Sequence, residues 1–192
     1  MSETENGNKL DWLEVNSKLI LGDGVDVSGR MINIFGDISM KNFIKFDKHL
    51  RLLESLSEDP LTININSNGG SVYAMFAYID RIQASPCNIT MISYGFIASA
   101  ALPIFCCTEK RIATEFTTFM HHSLSYEIPL SKTVDHVNEL AHSKQLQSKF
   151  NKFLAKQTKK PYSFWASTGK NQDYFFDADQ AFEFGVATDV NQ

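Results

Sequence analysis

From Leu61 to Asn66 the chain alternates apolar and polar residues, Leu-Thr-Ile-Asn-Ile-Asn, which is the period of a strand with one buried face. The turn Ser67-Asn68-Gly69-Gly70 follows, and apolar residues then recur at helical spacing from Val72 to Gln83. Upstream, Met31 to Phe35 predicts a short strand ending at Gly36-Asp37, and Phe43, Phe46, Leu50, Leu53 and Leu56 predict a helix ended by Pro60. Downstream the cycle repeats. Asn88 to Tyr94 reads as a strand broken by Gly95, and Ala98 to Cys106 as a small-residue helix buried on all sides. With Ser99 opening that helix, Pro103 falls just beyond the first turn and predicts a kink. Arg111 to Thr114 and Thr117 to His122 predict two more strands, and Asp179 to Phe184 a last helix stopped by Gly185. The longest helix, Ser131 to Lys156, carries Val134, Val137, Leu140 and Ala141 on one stripe that continues through Phe150, Phe153 and Leu154. It has no strand near either end, so it is expected to project from the sheet or pack on another subunit. Alternating strands and helices make an α/β domain of parallel βαβ units the expectation. Residues 1–30 show little periodicity and read as a flexible N-terminal arm with a short ordered stretch around Leu19 to Leu21, which leaves 31–192 as the domain.

Composition narrows the function classes. A chain of 192 residues with 43% hydrophobic and 21% charged residues has the length and content of one globular domain. A net charge of −4 and the lack of a basic cluster argue against nucleic acid. Lys156, Lys159 and Lys160 read instead as the solvated end of a helix. The longest apolar stretch, Ile97 to Cys107, is far below the roughly 20 residues of a membrane span, and the acidic N-terminus lacks a secretory pattern. A cytoplasmic protein is expected. Cys87, Cys106 and Cys107 are odd in number and two are adjacent, so they are expected as small core residues rather than disulfide partners. His121-His122 has no second ligand pair, so neither a metal nor another cofactor is expected. Both Gly-x-x-x-x-Gly-Lys-Ser/Thr and Gly-x-Gly-x-x-Gly are missing, which argues against ATP hydrolysis by the chain itself.

Two segments combine a strand end, glycine and a helix start: Asn66 to Ser71 and Gly95 to Ala100. In an open α/β sheet such turns face the crevice at the carboxyl ends of the strands, where ligands bind. The Gly69-Gly70 pair is either an ordinary tight turn or a backbone site for an anion or a developing oxyanion. Ser99, flanked by Ala98, Ala100 and Ala101, is either a helix N-cap or a nucleophile with room for substrate beside it. A serine nucleophile needs a base and an acid that orients it. His121 and His122 end one strand, and Asp173 lies in a polar turn before Tyr174-Phe175-Phe176, so a serine hydrolase is open to the chain on these residues.

Four motifs in order carry a family resemblance: Asn66-Ser67-Asn68-Gly69-Gly70-Ser71-Val72, Gly95-Phe96-Ile97-Ala98-Ser99-Ala100-Ala101, Phe119-Met120-His121-His122, and Asp173-Tyr174-Phe175-Phe176-Asp177-Ala178-Asp179-Gln180-Ala181. From about residue 31 to 190 the chain resembles the ClpP peptidases, the proteolytic subunit of the Clp protease. The resemblance implies the ClpP/crotonase-like spiral of βαβ units, with Ser131 to Lys156 as the projecting handle helix through which rings stack. It implies Ser99 as nucleophile, Asp173 as the acid, and the N–H groups of Gly70 and Ala100 as oxyanion donors. Met-x-His, with an ungapped run back to Arg111, points to His122 as base, whereas matching the following Pro-Leu to Ser123-Leu124 points to His121. Strand alternation lets only one of the two face the cleft, and His122 is the choice. A serine endopeptidase follows, cutting unfolded polypeptides through an acyl-enzyme inside homo-oligomeric heptameric rings, stacked as a tetradecamer and fed by a Clp-type ATPase unfoldase.

Departures from the family pattern bear on assembly more than on chemistry. Asn68 stands for the family's Pro and Ala100-Ala101 for Met-Gly, changes that a site built on N–H groups tolerates. Ser123 to Pro129 replaces a Gly-rich segment at the start of the handle, which bears on ring size and stacking. Such divergence suits a virus-borne or otherwise specialised copy. Two other functions remain open on the sequence: a non-catalytic ring subunit that only assembles with an active relative, and a crotonase-like acyl-CoA enzyme on the same fold, which needs no serine nucleophile.

Overall fold

The computed structural model describes residues 14–20, 22, 24–125 and 133–191, and the side chains of 133–136 fall outside that description. Eight strands form one sheet: β1 (Val25–Asp26), β2 (Met31–Phe35), β3 (Leu61–Ser67), β4 (Ile89–Ala98), β5 (Lys110–Thr114), β6 (Thr118–His121), β7 (Tyr174–Phe176) and β8 (Asp189–Asn191). Helices α1 (Met40–Leu56), α2 (Val72–Gln83), α3 (Ala101–Phe105), α4 (Thr133–Gln157), α5 (Tyr162–Ser167) and α6 (Ala178–Phe184) join them. The strand order is β1-β2-β3-β4-β5-β8, parallel from β2 to β8 with β1 antiparallel at the edge. This is the parallel βαβ architecture that the periodicity predicts.

Period-two alternation decides which face of β3 is buried. Leu61, Ile63 and Ile65 enter the core, where Phe46, Leu50 and Leu53 of α1 and Met75, Ile79 and Ile82 of α2 also lie. Arg81 of α2 ties the two helices by pairing with Asp47 and Glu54 of α1. Ser39 and Ser71 cap α1 and α2 with their hydroxyls, and Asp177 forms a capping box with Gln180 at the start of α6.

Several sequence expectations change. Gly95 does not end β4: its φ of +63° lets the strand bend and continue to Ala98 while the register against β3 shifts. The first half of β4 pairs with β5 and the second half with β6. The small-residue helix begins at Ala101, not Ala98, so Pro103 is its third residue. Its missing N–H would have had no intrahelical acceptor there, which removes the reason for a kink. Ordered structure starts before Met31, since Val25 is fully buried and β1 pairs with β2; residues 1–13 lie outside the described residues. The apolar stripe of α4 divides in two. Phe150 and Leu154 are core, whereas Val137 is 63% and Leu140 43% exposed, and Val134 lies outside the described side chains. The three cysteines are buried and unpaired, and burial pushes the Cys106 thiol up to about 12. Among the described residues no helix is long and apolar enough to cross a membrane.

Candidate active site

Strand register brings the four motifs to one place. Ser67 of β3 pairs with Ile97 of β4, so Gly69 arrives beside Ser99 two residues on. Ala98 pairs with Met120 of β6, and the Ser99 N–H donates to the Met120 carbonyl at 3.0 Å. His121 pairs antiparallel with Tyr174 of β7, which sets the next residue, His122, opposite Asp173.

Ser99 does not cap a helix. It holds a left-handed φ of +54°, one of two such non-glycine residues among those described, and the capping position of α3 belongs to Ala100 without a side-chain bond. The Ser99 Oγ lies 2.6 Å from Nε2 of His122. On the far side of that ring, Nδ1 stands 3.9 Å from Asp173 Oδ1. This is ion-pair distance but too long for a hydrogen bond, and the Asp173 side chain is 53% exposed.

The adjacent histidines separate as strand alternation requires. His121 is 1% exposed, its Nε2–H donates to the Trp165 carbonyl at 2.9 Å, and its ring stacks on Phe150 and meets the Trp165 indole edge-on. Burial pushes its pKa down to about 4, so the ring is a neutral core element turned away from Ser99.

The glycine turn packs directly on the serine turn. A Cβ on Gly69 (φ +96°) would sit 2.7 Å from the Ser99 Cβ and 3.0 Å from the Ala100 nitrogen, so only glycine allows this approach. Gly70 bridges Ile38 in parallel fashion: Ile38 N–H donates to the Gly69 carbonyl, and Ser71 N–H donates to the Ile38 carbonyl. In that pattern the Gly70 N–H points away from Ile38.

A model of the Clp protease family matches residues 26–192. The chain belongs to the Clp protease family. It is 30% identical over 166 residues to the ATP-dependent Clp protease proteolytic subunit 2 of Treponema denticola, across 84% of this chain and 81% of that one. The corresponding subunit of Pseudomonas aeruginosa is 26% identical over 84% of this chain and 80% of its own. A ClpP1 mutant from Listeria monocytogenes superposes with a TM-score of 0.80 at 26% identity, covering 86% of this chain and 93% of that one. The fold is therefore the ClpP spiral, and the family match takes in residues 26–30 ahead of the 31–192 domain that the periodicity predicts.

Three supports of this Clp-family site were not read from the sequence. A Cβ on Gly169 (φ +71°) would fall 2.6 Å from the His122 Cα, and the Ser123 N–H donates to the Gly169 carbonyl, so this turn seats the histidine backbone. Gln147 of α4 accepts from the Leu124 N–H at 2.6 Å and donates to the buried Asn151 at 3.0 Å, tying the segment after His122 to the long helix. Trp165 supplies the carbonyl that holds His121. Only Gly169 left a local signal, as a glycine after Ser-Thr between two elements.

Proposed function

We propose that the chain is a serine endopeptidase acting on unfolded polypeptides, with Ser99 as nucleophile, His122 as base and Asp173 as the group that orients the base. The 2.6 Å contact between Ser99 Oγ and His122 Nε2, on a serine held at positive φ, carries the reading. His122 takes the hydroxyl proton as Oγ attacks the substrate carbonyl. The N–H groups of Gly70 and Ala100 receive the oxyanion, and their geometry is fixed before substrate arrives because both turns are locked against each other. His122 then protonates the leaving amine, and water, deprotonated by the same ring, hydrolyses the acyl-enzyme. Asp173 draws in from 3.9 Å to a hydrogen bond on Nδ1 as the imidazolium forms, a tightening that apo sites commonly need.

Family membership supports a homo-oligomeric ring fed by a Clp-type ATPase. The exposed Val137 and Leu140 on α4 are the apolar surface that stacking through a handle would cover.

The deciding experiment is mass spectrometry of the protein after treatment with a fluorophosphonate. An adduct on Ser99 that is lost in His122→Ala and kept in His121→Ala is the expected result. A folded, assembled protein with no Ser99 adduct would leave a non-catalytic ring subunit in its place.

A further inference from the structure

Beside the proposed oxyanion turn lies a cavity of about 440 Å³, reached from Gly70 and Ser71 and closed on the other side by α4. A substrate whose carbonyl oxygen meets the Gly70 N–H carries its neighbouring side chain past this cavity, so this inference rests on the peptidase reading. The walls are mainly apolar, from Val72, Leu124 and Leu146. Among the described residues one carboxylate stands there: Glu139, half-buried on α4. Among the described residues no cation pairs with it. His142, three residues further on the same helix, is engaged elsewhere, its Nε2 lying 2.9 Å from the Tyr73 hydroxyl with the two rings stacked at the rim.

A carboxylate drawn partly out of water in an apolar pocket gains most from a cation brought to it on a long apolar stem. Lysine and arginine have that shape. Their methylenes match Val72, Leu124 and Leu146, and their heads reach a group that has no counter-charge among the described residues. Leucine or methionine would fill the walls but leave Glu139 without a partner, and aspartate or glutamate would meet it as a like charge. We infer that Glu139 is a specificity-determining residue that directs cleavage to bonds following lysine or arginine.

The test is digestion of an unstructured peptide library by the full-length protein and by Glu139→Gln, with cleavage sites counted by mass spectrometry and Ser99→Ala as blank. Each protein serves as its own reference through the ratio of cuts after Lys or Arg to cuts after Leu or Met. The expected wild-type ratio is about ten or more, falling about tenfold in Glu139→Gln. A ratio near one or below in wild type, or one unmoved by Glu139→Gln, would overturn the inference and leave the peptidase standing. Loss of all Ser99-dependent cleavage in wild type would overturn the peptidase reading, and this inference with it.

Discussion

His121 makes the stability of the protein depend on pH in a way the sequence pair His121-His122 alone does not announce. In the folded chain burial holds its pKa at about 4, against about 6.5 in an unfolded chain. The unfolded state therefore binds the proton first as pH falls. Its contribution to stability is present in full above about pH 6.5 and is lost progressively down to about pH 4. Going from about pH 7.5 to about pH 5 favours the unfolded chain roughly thirtyfold at this group, or about 2 kcal/mol. His121→Gln keeps a donor for the Trp165 carbonyl and removes the titration. The assay is urea unfolding of both proteins at the two pH values and at one protein concentration, because assembly would otherwise shift the midpoints. Every other titrating group is common to both proteins, so wild type should lose about 2 kcal/mol more than the variant. Parallel losses would refute the reasoning and mean that the ring is protonated where it lies, or leaves the core at little cost.

Further outcomes follow from the same geometry. Asp173→Asn should lower kcat about a hundredfold or more with little change in KM, measured on a fluorogenic peptide; a loss below about threefold would mean that the 3.9 Å gap never closes. Gly69→Ala should cost about a hundredfold in rate of Ser99 labelling while circular dichroism is retained, because its Cβ lands 2.7 Å from Ser99. Gly95→Ala, whose Cβ would meet only the end of the Asn66 side chain at 3.1 Å, should lose much less, and equal losses would remove the steric argument. Arg111→Met should destabilise by about 3 kcal/mol or more in urea, since the buried guanidinium donates to the carbonyls of Thr108, Gln157, Gly185 and Val186; a loss under about 1 kcal/mol would show that water replaces it.

What the sequence disclosed was whatever depends on local period and turn chemistry. α2 runs from Val72 to Gln83 as its apolar spacing predicts, and Gly185 stops α6 in the left-handed conformation. Features set by partners in space were hidden. β4 passes through Gly95 because β6 lies beside its second half, and β5 separates the two strands along the chain. β1 and β8 are two and three residues long, too short for any periodic signal, and exist through pairing alone. The inward and outward division of α4 was missed for a related reason. Val137 and Leu140 repeat with helical period as core residues do, yet they stand exposed among the described residues. At the site, order along the chain and family motifs named Ser99, His122, Asp173, Gly70 and Ala100, but spacing could not say which of them meet. Register brings Gly69, Ser99 and His122 together and leaves Asp173 at 3.9 Å, through Ser67 with Ile97, Ala98 with Met120, and His121 with Tyr174.

Those three registers also explain why a strained serine persists. A left-handed non-glycine residue costs on the order of 1–3 kcal/mol and survives only where its surroundings over-determine it. At Ser99 the constraints come from both sides of the chain. Ala98 is locked into β6 pairing, the Ser99 N–H is engaged by Met120, the Leu102 N–H returns to the Ser99 carbonyl, and Gly69 fills the space on the third side with no atom to spare. Relaxing Ser99 to an ordinary φ would break a ladder bond and drive its Cβ out of the slot that Gly69 leaves. The strain is thus held by sheet pairing that would form without any catalytic role, while the Oγ it projects meets His122 at 2.6 Å. A plain helix N-cap would need none of this, since extended φ serves a cap better. The conformation of this one residue therefore weighs more in favour of a nucleophile than the serine's place in the sequence does.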